Sequence, residues 1–243
     1  MLLAFDVGNT NIVLGVFKDG ALIQNWRLET DNNKSADEYG MVVNQLFQYV
    51  GLKMEDVEDI ICHNRDVIVI VDEAYVDFGG TSAVSLIEKY DNLLVVQTFS
   101  KSRSLAGMRI GFACGNAKLI KYLNDVKYSF NSYTMDRTAL AAGVAAVKDQ
   151  EYFEETCNKI IETREWTKKE LKALGFSFQD SKSNFIFASH ETCPAAELFA
   201  ALREKHIYVR YFPKGRTENF LRITIGTREE MQKFIDFLKE YLK

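Results

Sequence analysis

Asp72 and Tyr75 close one apolar run, Thr98-Phe99-Ser100-Lys101 closes the next, and Arg109 follows the lysine by eight residues. Apolar runs of this kind read as strands of an open α/β sheet. Ligands bind beyond the carboxyl ends of such strands, so the three groups are expected to converge. A lysine amine, a carboxylate, a phenol, two hydroxyls and a guanidinium are the set that pyridoxal phosphate (PLP) chemistry needs. The lysine holds the cofactor covalently. The carboxylate keeps the pyridine nitrogen protonated, so that the ring can draw electrons from a substrate carbanion. Thr98, Ser100 and Arg109 suit a dianionic phosphate through charge-assisted hydrogen bonds.

A second constellation stands near the N-terminus. Asp6-Val7-Gly8-Asn9-Thr10-Asn11 follows an apolar run directly and opens a turn. Glycine and small polar residues let backbone N–H groups approach a phosphate there, and Asp6 is able to hold magnesium, directly or through water. Cysteine and histidine suggest no metal site. The four cysteines are scattered without a CxxC, the three histidines are isolated, and the neighbours Cys62 and His63 lack a second ligand pair.

The elements that must position these residues have two grammars. Apolar runs at 2–7, 12–17 and 21–28, separated by Gly/Asn/Asp turns, predict a β-meander. Ser35 precedes Glu38 at capping-box spacing, and residues 36–50 carry apolar side chains at helical spacing. A strand is expected at 57–62, which gives β-β-β-α-β. From residue 64 onward the pattern changes. Residues 67–71 (VIVIV) read as a strand buried on both faces. Then come a helix at 82–90, strands at 93–98 and 110–114, a short helix at 117–122, and helices at 138–148 and 151–174. Strands at 184–188, 208–211 and 220–225 and helices at 195–205 and 229–242 complete an α+β layer.

Charge shifts at the same place. Residues 1–63 hold 4 Lys/Arg and 10 Asp/Glu, and the remainder hold 26 and 24. The net charge of −4 gives no general attraction to nucleic acid or acidic membranes. No apolar stretch approaches the roughly 20 residues needed to span a bilayer, and Asp6 interrupts the N-terminal run. Scattered cysteines suit reduced thiols, hence a cytoplasmic protein. At 243 residues the chain is long enough for its own core, yet it has only two prolines, Pro194 and Pro213, where average usage predicts about twelve.

Two resemblances follow from these motifs. MLLAFDVGNTNIVLGVF, WRLETD and SADEYG resemble the N-terminus of type III pantothenate kinases, of the actin- and hexokinase-like ATPase superfamily. The resemblance implies ATP with magnesium, with Asp6, Gly8, Asn9, Thr10 and Asn11 as the first phosphate hairpin. It covers only the first quarter or so of such a kinase, and the later catalytic motifs have no counterpart. VIVIVDEAYVDFGG, LLVVQTFSKSRSLAGMRIGFA, SKSNFIFA, VRYFPKG and NFLRITIGT resemble histidinol-phosphate aminotransferases, fold-type I PLP enzymes. That resemblance runs from about residue 64 to the end. It implies Lys101 as the cofactor lysine and proton shuttle, Asp72 on the pyridine nitrogen and Tyr75 on the ring oxygen. It further implies Thr98, Ser100 and Arg109 on the cofactor phosphate, Arg222 on the substrate carboxylate and Arg210 on the substrate phosphate. The family's N-terminal half, with its Pro-rich entrance and Asn-Pro segments, has no match here, which accounts for part of the proline deficit.

The fold expected is therefore α/β: a truncated fold-type I PLP aminotransferase, with a partial large-domain sheet and an α+β small domain, preceded by the kinase-like half-lobe. The chain reads as a chimera with its seam near 61–65 and with segments 1–62, 63–150 and 151–243. The strand at 57–62 is expected to pair beside 67–71 and patch the sheet. Three functions compete: an aminotransferase impaired by truncation, a pantothenate kinase fragment, and an inactive fusion. The aminotransferase reading implies small-molecule partners, a phosphorylated amino alcohol and 2-oxoglutarate or glutamate. Family enzymes are homodimers, and dimerisation is left open because the shared residue falls in the unmatched half.

Overall fold

A computed structural model describes residues 53–213 and 215–243, together with the backbone of 2–7, 11–18 and 21–29. The expected helix at 36–50 and its Ser35–Glu38 cap lie outside the described residues. The described chain forms two compact units. The first comprises Met1–Ala74, Thr81–Thr98 and Gly111–Thr134, and the second comprises Tyr75–Gly80, Phe99–Ile110 and Met135–Lys243.

The first unit contains the expected meander. Strands β1 (Leu2–Val7), β2 (Asn11–Lys18) and β3 (Ala21–Glu29) pair antiparallel in the order β1-β2-β3. Asp6 pairs with Val13, and the β2–β3 register shifts between Val16 and Phe17.

The segment at 57–62 is helical, which corrects the strand expected there. Helix α1 spans Met54–His63, and the Asp56 carboxylate accepts the Lys53 N–H at 2.8 Å to close its first turn. Met54, Val57 and Ile61 recur at helical spacing on one side, and Ile61 is fully buried. The patch that a strand there was to supply is absent.

Beyond it, β4 (Val69–Asp72) pairs parallel with β5 (Leu93–Thr98), and β5 pairs antiparallel with β6 (Gly111–Gly115). β4 is shorter than the VIVIV run. It is also not buried on both faces, since Ile68 and Ile70 are 55% and 61% exposed. Alternation accounts for this: Val69 and Val71 pack on the Ile61–Leu93–Val95 cluster, and Ile70 faces the other way. Asn92, nearly buried, fastens α1 to β4. Its side-chain amide donates to the carbonyls of Ile61, Asn64 and Val67 at 3.3, 2.8 and 3.2 Å.

The helix expected at 82–90 is only a 3₁₀ turn, Ala83–Leu86. Helix α2 (Ala117–Phe130) runs past the expected residue 122, and its Tyr122, Leu123 and Val126 are exposed.

In the second unit, α3 (Arg137–Lys148) and α4 (Gln150–Ala173) match expectation to within a residue. A four-stranded sheet of order β7-β8-β10-β9 follows, from β7 (Phe176–Phe178), β8 (Phe185–His190), β9 (Arg210–Tyr211) and β10 (Leu221–Thr224). β7 is a strand that sequence reading did not anticipate. Helices α5 (Ala195–Glu204) and α6 (Arg228–Tyr241) cover the sheet through a core that includes Ile186, Leu198, Leu221, Ile235 and Leu238. Thr227 and Glu230 form a reciprocal cap at the start of α6, with bonds of 2.8 and 3.2 Å. Among the described residues no helix is long and apolar enough to cross a membrane.

Candidate active site

The sheet of the first unit presents two of the expected groups. Asp72 ends β4 and pairs with Val96 of parallel β5. Residues at one level of neighbouring strands share a face, and alternation puts Thr98 on that face too. Asp72 and Thr98 stand at the carboxyl ends of adjacent parallel strands, where open α/β sheets place their ligands. Asp72 is exposed and accepts the Ala74 N–H at 3.0 Å. Glu73 falls on the opposite face, 8% exposed. Its carboxylate accepts the Ser82 hydroxyl and the Ala83 N–H, both at 2.6 Å, and the Gln97 amide at 2.8 Å. Glu73 is therefore engaged in holding the fold, and Asp72 is the carboxylate of the pair that a ligand can reach.

The second unit holds Lys101 on a loop tied at its neck. Phe99 donates its N–H to the Ile110 carbonyl, and Leu105 donates to Phe99, each at 3.0 Å. Phe99 and Ile110 pack with Ala139 of α3. The loop is pinned at two further points, neither of which sequence reading singled out. The Ser102 hydroxyl donates to Asp77 at 2.5 Å, and the Arg103 guanidinium donates to the Ala146 carbonyl at 2.5 Å near the end of α3. Arg103 also lies over the Phe153 ring at 3.9 Å. Ser100 is half-buried on this loop.

Arg109, exposed, has φ of 55° and donates to the Ala106 carbonyl at 2.8 Å, and Ser104 has φ of 56°. Side-chain-bearing residues in that left-handed region cost about 1–3 kcal/mol each and persist where surroundings hold them, often at functional sites. Here they flank the lysine.

Three expected residues come together in this unit. The Lys101 ammonium lies 5.5 Å from the Tyr75 ring centre. The Tyr75 ring meets Phe185 edge-on at 5.4 Å. The Arg222 guanidinium lies 5.6 Å from the same Phe185 ring. Phe185, buried and central to the row, was part of the SKSNFIFA motif but carried no assigned role. Arg210 is the cross-strand partner of Arg222 in the β9–β10 ladder, so the two guanidiniums share a sheet face.

Arg164 of α4 bonds the segments next to Tyr75 and Phe185. It is 3% exposed and donates to the carbonyls of Phe78 and Ser183 at 2.8 and 2.9 Å, which fixes the Tyr75 turn and the approach to β8. Gly8, Asn9 and Thr10 lie outside the described residues, and of Asp6 and Asn11 the structure describes the backbone alone.

Cys157 of α4 is 5% exposed in the same unit. Burial, reinforced by the Asp77 carboxylate and opposed by Arg103, pushes its thiol up to about 11 from the ordinary 9.0. A raised folded-state value favours the protonated thiol. Its contribution to stability is whole below about pH 9 and is lost as pH rises towards 11. In the native chain at pH 8, iodoacetamide is expected to label Cys157 last of the four cysteines, as mass spectrometry of the labelled peptides would show. Early labelling of Cys157 would contradict this.

Residues 41–238 match the family model of class I and II aminotransferases. The chain belongs to that family. Residues 2–71 match the model of type III pantothenate kinase, so two family patterns overlap in one chain. A histidinol-phosphate aminotransferase of Brachyspira hyodysenteriae is 55% identical over 193 residues, 79% of this chain and 54% of that one. The Clostridium acetobutylicum histidinol-phosphate aminotransferase is also 55% identical, over the same shares. A crystal structure of a histidinol-phosphate aminotransferase from Clostridium acetobutylicum, 23% identical to this chain, superposes with a TM-score of 0.72 and covers 79% of this chain and 59% of that one. The fold is thus that of fold-type I aminotransferases. The chain spans about half the length of the curated relatives it matches.

Proposed function

We propose that the chain is an impaired PLP-dependent aminotransferase, acting on histidinol phosphate and 2-oxoglutarate. The row Lys101–Tyr75–Phe185–Arg222 carries this reading, because it sets an amine, a phenol and a guanidinium along one aromatic line within one unit. The relatives' name, histidinol-phosphate aminotransferase, supports histidinol phosphate as one of the two substrates.

The donor set fits the cofactor by its chemistry. PLP, when bound, supplies an electron sink. By the resemblance, Lys101 would hold it and carry the proton, Asp72 would pair with the pyridine nitrogen, and Tyr75 would donate to the ring oxygen. Thr98, Ser100 and Arg109 would bind its phosphate. Arg222 takes the substrate carboxylate and Arg210 the substrate phosphate. Four free thiols support a reducing, cytoplasmic location, and a homodimer is the assembly to test.

The test begins with the full chain and added PLP. A visible absorbance band that saturates supports the cofactor assignment, and its absence overturns it. Amino transfer from histidinol phosphate to 2-oxoglutarate then separates a working enzyme from an inactive fusion that keeps the cofactor. A second reading, binding of ATP with magnesium at the Asp6 hairpin, is favoured by the match over 2–71 and the antiparallel meander. Calorimetry with ATP and magnesium, with no heat of binding expected if the hairpin is a relic, decides it.

A further inference from the structure

Helix α1 ends with Asp59, Cys62 and His63. The spacing i, i+3, i+4 sets all three on one face of a helix, in its last turns. Cys62 Sγ lies 3.1 Å from His63 Nδ1, which lies 3.2 Å from Asp59 Oδ1. All three ligand atoms fall within 4.8 Å of one another. The carbonyl oxygen of Asp59 stands in the same place, 2.9 Å from His63 Nδ1 and 3.3 Å from Cys62 Sγ.

Around a tetrahedral zinc ion, bonds of about 2.0–2.3 Å set ligand atoms roughly 3.3–3.6 Å apart. The Cys62–His63 and His63–Asp59 separations need adjustments of only a few tenths of an ångström, and the third pair, Cys62 and Asp59, lies within 4.8 Å. Sulfur, imidazole nitrogen and carboxylate oxygen are also the ligand types that a borderline-soft divalent ion prefers. The negative end of the helix dipole adds attraction for a cation. Access is open, since the His63 and Asp59 side chains are 60% and 41% exposed, while Cys62 packs partly on the Ile61 cluster and is held in place. Among the described residues no other three Cys, His, Asp or Glu side chains gather in this way.

We propose that Asp59, Cys62 and His63 bind a divalent transition-metal ion of the zinc class, with water completing the coordination. The thiol gives up its proton to solvent on binding, His63 binds as the neutral imidazole, and no electron transfer is involved. A strand at 57–62 would have sent Asp59 and Cys62 to opposite faces. The helix is what creates the triad.

Cobalt(II) chloride, titrated into the metal-free full chain under a non-thiol reductant, tests this. One equivalent is expected to bind saturably, with a thiolate-to-cobalt charge-transfer band, and zinc is expected to displace it. Cys62→Ser should abolish the band, and His63→Ala should weaken binding by at least about tenfold. No saturable band, or a band unchanged in Cys62→Ser, would overturn the proposal. Far-UV circular dichroism checks folding of each variant. If Cys62→Ser fails to fold, the exposed substitution His63→Gln makes the same decision, with unchanged cobalt affinity counting against the site.

Discussion

Replacing Lys101 with alanine is expected to abolish covalent retention of PLP. Borohydride reduction of the parent chain with cofactor should leave a pyridoxyl group on the Lys101 peptide. The Lys101→Ala chain should carry none on any peptide, and any amino transfer should fall on the order of 10⁴-fold or more, the scale for removing a covalent catalytic group. The expectation rests on how the loop is held. Its neck is tied between Phe99 and Ile110, and Ser102 and Arg103 fasten the residues just after the lysine to Asp77 and to the end of α3. The amine is therefore presented by a fixed backbone over the Tyr75 ring. Alanine at 101 leaves these ties in place, so circular dichroism and the unfolding midpoint should not change. Retention of the pyridoxyl group in the variant would assign the cofactor to another amine.

Arg164→Ala should be the most destabilising single substitution near the site. The guanidinium is 3% exposed and donates to two carbonyls, of Phe78 and Ser183. Each buried acceptor left without its donor costs about 1–3 kcal/mol, so a loss of about 3 kcal/mol or more is expected. Arg164→Lys keeps a charged donor but shortens the reach of the single nitrogen, Nη1, that bonds both carbonyls, and should fall between. Urea unfolding followed by fluorescence of Trp166, on the same helix, measures this. A midpoint shared by all three chains would remove Arg164 from its supporting role. The Tyr75 turn depends on the same bonds, so weakened PLP binding should accompany the stability loss.

The sequence disclosed most where short-range pattern decides structure. β5 and the helices at 137–148, 150–173 and 228–241 follow from unbroken periodicity, with caps such as Thr227–Glu230 in place. Two elements differ from the expectation. VEDIIC is too short to separate strand from helix by period, and the Asp56 cap that settles it lies outside the apolar run. Residues 82–90 look helical, but only the 3₁₀ turn Ala83–Leu86 forms, with Ser82 and Ala83 bonded to Glu73, nine or more residues away. At the site, the residues with reactive groups were readable from type and motif. Phe185, Arg164, Asp77 and Ser102 were not, because their roles are contacts with residues distant in sequence.

The division of the chain into two interleaved units has a practical consequence. The backbone passes from one unit to the other at Ala74–Tyr75, Gly80–Thr81, Thr98–Phe99, Ile110–Gly111 and Thr134–Met135. No single proteolytic cut can release either unit whole, and no expression vector can carry one of them as a continuous open reading frame. Recombination that exchanges the first 60 or 70 residues falls wholly within the first unit. The second unit, with the lysine loop, Arg210 and Arg222, would pass through such an exchange with its sequence intact.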